Sequence, residues 1–481
     1  MGEQRLGERY YLLLQPAVCP AGGGGEPVSM IEHVKTAVLW LMILASIVLT
    51  WFVWTYQPAY EELTEANNSF IEVEDIGETK SFTEVLYPST VIEHDAEERA
   101  WVHPAGDNYS EMMNGLQEIE LDAMYSVGSS YAPGDDLTFT GVEFLFDEAL
   151  QAEWLPFLFD IEEEDVLINN IDRIALALTE QEGASDVVVR FIDMEEEEVF
   201  QSETSLSQTQ LETFSEGVIT ERTAVTPRTF QENGDSSFQP VTYVPDEPMN
   251  KQVYTYETTD ISPEGFIQTL FTDPEYVRQY FQEGEDSSYT DGTRMMDMTN
   301  GGSVLNYVQP DVSGSPGVAS DTVVRSAQEF INSHYGWTDD FYATGWREGE
   351  ATDSAEFTLH VEGMPVFEAN TGESGHYQLE TVRSGTEIIE YSRPMFQLDE
   401  TPFEINTSVE LPGYSELESH IEEEEAFSPE IVEDARVAFY MSRENSLVVF
   451  EPSWFVYARG QWHRVSTSEI TEQEVLLNGL E

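Results

Sequence analysis

The chain has 481 residues, and 93 acidic against 20 basic side chains give it a formal charge of −73. A surface of that sign excludes nucleic acid and flat attachment to an anionic bilayer. A hydrophobic content of 40% with 12% aromatics excludes a disordered polyelectrolyte.

In chain order, residues 1–29 read as outside the fold, because the run of four glycines from Gly22 resembles no structured element. A Gly-Gly-Glu sequence can be encoded by the bases of a bacterial ribosome-binding site, and Met30 follows at a workable distance. The expectation is a start at Met30, a cytoplasmic tail over 30–35, and an exported region without cysteine, since Cys19 precedes Met30. Stability then rests on core burial alone.

Residues 36–56 hold no charge, Gly or Pro. At a rise of about 1.5 Å per residue this run crosses a hydrocarbon core of about 30 Å. Trp40 near its start, and Trp51, Trp54, Tyr56 and Tyr60 at its end, suit the two headgroup layers. The run lacks the short apolar core and small-residue site of a cleaved signal, so a retained transmembrane helix is predicted. Lys35 precedes it and the next positive residue is Lys80, which predicts a cytoplasmic N-terminus and an extracellular C-terminal region. Ile43, Ser46, Thr50 and Trp54 share one helix face. Small hydroxyl residues there allow a second membrane helix close approach, but they can equally bond back to their own carbonyls. Packing rules leave the two readings level.

Removing residues 1–29 takes away two Arg and three Glu, so −72 remains, essentially all on the exported part. Molar salt, where the Debye length is about 3 Å, screens such a surface, and an alkaline medium suits a chain with three lysines. The acidic runs at 162–165, 195–198 and 422–425 read as solvated surface. A calcium loop beginning at Asp286 would need Gly at its sixth place, where Asp291 stands.

The exported part is expected to divide into an N-terminal α+β domain over 58–225, a Pro/Gly-containing linker over 226–248, a central α+β domain over 249–318 and a C-terminal one over 319–475. Residues 142–146 and 186–191 read as strands. Past the linker, one theme of a helix followed by antiparallel strands occurs three times. The first unit opens with the cap Ser262-Pro263, and Asp273-Pro274 predicts a second helix. Strands follow at 294–298 and 304–308. The second has a helix whose apolar face carries Val323, Val324, Ala327, Phe330, Ile331 and His334, ending at Gly336. Phe357, Leu359 and Val361 then alternate as a half-buried strand, and Ser384-Gly385 turns a hairpin. The third has a helix over 411–421, strands at 437–441 and 447–450, and a hairpin at Arg459-Gly460. The fold class is therefore α+β: a single N-terminal transmembrane helix followed by a multi-domain extracytoplasmic region of helices packed on antiparallel sheets.

No nucleophile elbow, zinc-protease pair or phosphate-binding loop is present, and the eight histidines never fall at metal-ligand spacing. His334 reads as a core residue. The expectation is no catalytic, metal or cofactor residue. A membrane-anchored wall hydrolase and an extracellular ligand-binding sensor are the competing classes.

Several segments in order resemble the YycH family of Gram-positive bacteria: Glu32-His33-Val34-Lys35-Thr36 with residues 51–58, then residues 266–277, 289–296, 331–337 and 451–457. The resemblance covers 30–465. It implies an accessory regulator of the YycG (WalK) sensor histidine kinase, which controls cell-wall metabolism, acting with the related YycI-like membrane protein. It also favours the contact reading of the Ile43, Ser46, Thr50 and Trp54 face. The charge departs from that of a typical member.

Overall fold

Val, Ile, Phe and Tyr recur through the chain after residue 75, and each such run needs a neighbouring strand to satisfy its backbone. The computed structural model describes residues 30–55, 76–102, 107–134, 137–179, 186–218, 222–281, 286–310, 321–349, 351–367, 377–403, 407–423, 431–444 and 446–465. The expectations for residues 1–29, with Cys19, and for Tyr56 and Tyr60 lie outside these residues. The chain divides into two units, Met1–Glu72 and Val73–Glu481.

In the first unit one helix, α1, spans Met30–Thr55. Its side chains are described at Lys35 and over 37–50, and all of these are exposed. Within that limit, no helix among the described residues is long and apolar enough to cross a membrane.

In the second unit the helices α2 (Phe82–Val85), α3 (Asp107–Gln117), α4 (Leu155–Leu158) and α5 (Gln208–Val218) accompany an 8-stranded sheet. Its strands are β1 (Thr90–Ala96), β2 (Glu98–Val102), β3 (Tyr125–Gly128), β4 (Phe139–Gln151), β5 (Asn170–Leu178), β6 (Val187–Asp193), β7 (Glu198–Glu203) and β8 (Arg222–Ala224), in the order β3-β7-β6-β5-β4-β1-β2-β8. Every pairing in it is antiparallel. The register aligns Val91, Phe144, Ile174 and Phe191 across one face, all buried. Across the other it aligns Ile92, Glu143, Ala175, Arg190 and Gln201. Two further strands, β9 (Thr226–Thr229) and β10 (Val241–Val244), pair with each other.

The remaining strands are β11 (Met249–Gln252), β12 (Tyr254–Asp260), β13 (Arg278–Phe281), β14 (Ser287–Thr290), β15 (Met295–Thr299), β16 (Val304–Val308), β17 (Phe341–Arg347), β18 (Asp353–Val361), β19 (Met364–Phe367), β20 (Gln378–Ser384), β21 (Glu387–Pro394), β22 (Phe396–Leu398), β23 (Ser408–Leu411), β24 (Val432–Glu444), β25 (Leu447–Ala458) and β26 (Gln461–Val465). β11 pairs with β23, and the others form a 14-stranded sheet in the order β13-β14-β15-β16-β21-β20-β18-β19-β24-β25-β12-β22, with β17 on β18 and β26 on β25. Its one parallel pair among the described residues is β19 with β24. Three helices, α6 (Pro263–Leu270), α7 (Val323–Asn332) and α8 (Tyr414–Glu423), each precede a group of these strands. The architecture is mixed α+β with mostly antiparallel sheets.

Local signals explain many boundaries. Ser262 caps α6 by accepting from the Glu264 N–H, with Pro263 at the first helical position. Thr322 caps α7 by accepting from the Arg325 N–H. Gly385 and Gly460 take positive φ in their hairpin turns.

Three expectations are corrected. Residues 411–421 are not one helix: Leu411 ends β23, which pairs with β11, and α8 starts only after Pro412-Gly413. A Cβ on Gly413 would lie 1.9 Å from the Asp246 carbonyl oxygen, so this close approach requires glycine. Asp273-Pro274 opens a single 3-10 turn, Pro274–Tyr276, because the chain is drawn at once into β13 beside β14. β18 is buried on both faces near its end, since Thr358 and His360 as well as Phe357 and Leu359 are buried. Tyr87, arriving from the first half, lies 4.9 Å from the His360 ring and covers the second face.

Candidate functional site

Three features of the chain bear on function: the α1 face, the buried polar groups, and the surface clefts. All four residues of the predicted contact face lie in α1, where spacings of three and four residues keep them on one side. Ile43 is 40% exposed, Ser46 and Thr50 are exposed, and the Trp54 side chain is outside the description. Ala45 and Val48, on other faces, are exposed as well. The helix is apolar and uncovered all round over 37–50, so exposure does not single out one stripe.

Inside the 8-stranded sheet, Glu143 sits mid-strand in β4 and is 1% exposed. His94, Glu143 and Arg173 belong to adjacent rows of one sheet face. Arg173 donates from one guanidinium nitrogen to Glu143 Oε1 at 3.2 Å and from the other to the Val241 carbonyl at 2.6 Å. The Tyr243 hydroxyl donates to Glu143 Oε2 at 2.7 Å, and His94 Nε2 lies 2.9 Å from the same oxygen. Burial would raise the Glu143 pKa, but the His94 hydrogen bond, the Arg173 charge and the Tyr243 hydroxyl outweigh it and hold it at about 2. The carboxylate is therefore an acceptor only, with both oxygens occupied. It cannot serve as a general acid, and it ties β10 to the sheet.

The second half has a different centre. Arg393 in β21 is 0% exposed. It donates to the carbonyls of Pro394 and Gly336, to the Thr338 hydroxyl and, at 3.4 Å, to the Tyr391 hydroxyl. Its guanidinium also lies 5.1 Å from the Phe266 ring centre. His334 is 1% exposed, as expected of a core residue, with Nε2 3.3 Å from the Tyr391 hydroxyl. Burial, then the Arg393 charge, push its pKa down to about 3. His360 is pushed down to about 4, mainly by burial.

A cleft of about 910 Å³ lies between α5 and the β1-β2-β8 edge of the sheet, where Glu93, Asp95, Glu98, Arg99, Glu212 and Arg222 line it. Arg222 pairs with Glu93 across it. Among the described residues no cluster of three or more His, Cys, Asp or Glu is placed to hold a metal ion. The nearest calcium-loop candidate folds as the β14–β15 hairpin, with Asp291 in its turn accepting from the Thr293 and Arg294 N–H groups and Asp286 accepting from the Gly301 N–H.

Sequence reasoning missed both buried centres. The available signals were a lone Glu inside the apolar run Val142-Glu143-Phe144 and an Arg inside Ile171-Asp172-Arg173-Ile174.

Comparison with known proteins gives three findings. Residues 32–216 match the family model described as YycH protein, N-terminal domain, and residues 239–474 match YycH protein, C-terminal domain. A Bacillus subtilis (strain 168) protein named "Two-component system WalR/WalK regulatory protein YycH" is 20% identical over 467 residues, covering 94% of this chain and 99% of its own length. The crystal structure of YycH from Bacillus subtilis matches with a TM-score of 0.63 at 15% identity, over 81% of this chain and 98% of that one, which establishes the likeness of fold.

Proposed function

We propose, starting from the fact that this chain belongs to the YycH family, that it is a membrane-anchored accessory regulator of a WalK-like sensor histidine kinase controlling cell-wall metabolism. The observation that carries this reading is the regulatory relative aligned over 94% of this chain and 99% of its own length. In this reading α1 crosses the membrane once, with the N-terminus cytoplasmic and Val73–Glu481 outside. Its apolar, uncovered side chains over 37–50 support that, because water leaves such a surface unmatched and lipid does not. In the same reading, regulation passes through the helix and through extracellular contacts with the kinase and a YycI-like membrane protein.

Within lipid, helices associate by close packing and hydrogen bonds, and apolar burial gains nothing there. Packing rules alone do not choose a stripe, and the family membership favours Ile43, Ser46, Thr50 and Trp54 as the contact face. Replacing Ser46 and Thr50 together by Leu keeps the helix hydrophobic and blocks close approach, and Ala45→Leu with Val48→Leu is the control. The expected result is co-purification of the kinase with the wild-type chain and the control, and its loss from the Ser46→Leu/Thr50→Leu variant. If that variant still brings down the kinase with unchanged kinase output, the helix is an anchor only and the contact lies outside the membrane.

A further inference from the structure

Past Glu72 the chain does not go first to the sheet of its own half. Residues 77–80, ahead of α2 and β1, lie against α7 and the loop after it. Glu78 and Trp337 exchange backbone hydrogen bonds as an isolated antiparallel bridge, at 2.9 and 3.3 Å. The approach is so close that a Cβ on Gly77 would stand 2.2 Å from the Trp337 carbonyl oxygen and 3.1 Å from Thr338 Cα. Only glycine fits there.

Lys80 is held at every polar group. Its N–H donates to Asn332 Oδ1 at 3.0 Å, and its carbonyl accepts from Gln328 and Asn332 at 2.5 and 2.9 Å. Its ammonium donates to the Asp339 carbonyl at 3.1 Å, stands 3.5 Å from Asp340, and lies 5.3 Å from the Tyr342 ring centre. Trp337 in turn donates from its indole nitrogen to Asn332 Oδ1 at 2.8 Å. These partners fall between Gln328 and Tyr342, about 250 residues further along the chain, as the separations of 248 and 252 for Gln328 and Asn332 record.

We infer that residues 77–80 are a mechanical strap: displacement of the segment between membrane helix and exported unit is passed first to α7 and the Trp337–Tyr342 loop, and only then to the sheet of the first half. The chemistry suits a releasable element. The strap carries a single bridge, a pair of amide side chains and one ammonium. Its apolar share is small: Ile76 is only partly buried against the core, and the fully buried apolar side chains of this segment begin at Phe82. Docked and released forms can therefore interconvert without unfolding the unit. This inference rests on α1 being a membrane anchor, and deepens the proposed function by naming where a membrane-side movement enters the exported unit.

The test uses the full chain in lipid nanodiscs, followed by hydrogen exchange. Gly77→Ala forces the strap off, Lys80→Met removes the ammonium contacts while keeping the stem, and Gly134→Ala, with open space around its Cβ, is the control. In both strap variants, protection at Glu78 and Lys80 should fall at least tenfold and the loss should extend through α7 to Tyr342, while β4 to β6 stay unchanged. Loss confined to Glu78 and Lys80 overturns the inference, because the strap would then be a local tie. Kinase output in cells should shift in both strap variants and not in the control. Unchanged output from a variant that still co-purifies with the kinase also overturns it. Failure of the wild-type chain to associate with the kinase would instead overturn the proposed function, leaving the exchange result to stand.

Discussion

The two halves of the unit Val73–Glu481 handle a buried charge in opposite ways. In the first, the Glu143 carboxylate is matched by the Arg173 guanidinium, with His94 and Tyr243 completing its oxygens. In the second, the Arg393 guanidinium is buried with no carboxylate in ion-pairing range among the described residues, and rests on carbonyl and hydroxyl oxygens. One centre is an ion pair and the other a solvated cation whose solvent is protein. Five basic side chains are buried among the described residues against three acidic ones, in a chain with 20 basic and 93 acidic. The scarce cations are drawn inside, so the surface is still more acidic than the composition.

The contrast is broken or upheld most directly by removing each guanidinium. Arg173→Met leaves a buried carboxylate without its counter-ion, and should cost about 3–5 kcal/mol. Arg393→Met leaves carbonyl and hydroxyl oxygens without donors but also relieves an unpaired buried cation, so about 1–3 kcal/mol is expected. Pairing Arg173→Met with Glu143→Gln should recover part of the first loss. Denaturant midpoints of the full chain in detergent, in molar salt, measure all three. Equal losses for the two Arg variants would end the distinction.

Acid should separate the halves next. His334 and His360 have folded pKa values near 3 and 4, below their ordinary 6.5, so below pH 6.5 the unfolded chain binds more protons and stability falls with pH. Glu143 is lowered from 4.5 to about 2, so its contribution is complete above 4.5 and disappears only between there and 2. Asp339 is raised to about 6, chiefly by burial, and works in the opposite sense over part of the upper range. Hydrogen exchange at pH 5 should therefore show the second half losing protection while β4, β5 and β6 keep theirs. Glu143→Gln should flatten the stability curve only below pH 4.5. Simultaneous loss in both halves at pH 5 would contradict the assignment.

Salt acts on the surface and leaves both centres untouched. Lowering it lets repulsion reach over about 30 Å at 0.01 M, against about 3 Å at 1 M. The thermal midpoint should rise by several degrees from millimolar to molar sodium chloride, by the same amount in wild type and in Arg393→Met. A flat curve would mean that the surface carboxylates are already well spaced.

What the residues disclosed in advance follows from how local each signal is. The cap Ser262-Pro263, the β-branched and aromatic runs at 142–146 and 186–191 and the hairpin glycines act within a few neighbours, and each gave the element expected of it. Leu411 was misread because its strand exists only through pairing with Met249, far back in the chain. Asp273-Pro274 carries the same cap signal as Ser262-Pro263, but β14 takes the following residues into an edge strand. The Glu143 centre was hidden for the same reason: its partners lie 30, 49 and 100 residues away. The α1 face could be listed from spacing alone, but spacing does not say which face meets a partner.

The finest test of the contrast is a matched pair of tyrosines. Tyr243 donates its hydroxyl to Glu143 at 2.7 Å, a charge-assisted bond to a group that has no water to turn to. Tyr391 instead receives a long 3.4 Å contact from Arg393, which has three other oxygens, and lies 3.3 Å from His334. Both rings are buried, so Phe preserves the packing at each position and removes only the hydroxyl. Tyr243→Phe should cost about 1.5–3 kcal/mol, the range of bonds to charged groups, and Tyr391→Phe about 0.5 kcal/mol. The first change should also raise the Glu143 pKa, moving the acid limb of the stability curve upward, because one of the interactions holding the carboxylate down is gone. The second should leave that limb in place. If both variants lose the same stability with no shift of the acid limb, the Tyr243 hydroxyl is a packing group, and the ion-pair centre owes its low pKa to Arg173 and His94 alone.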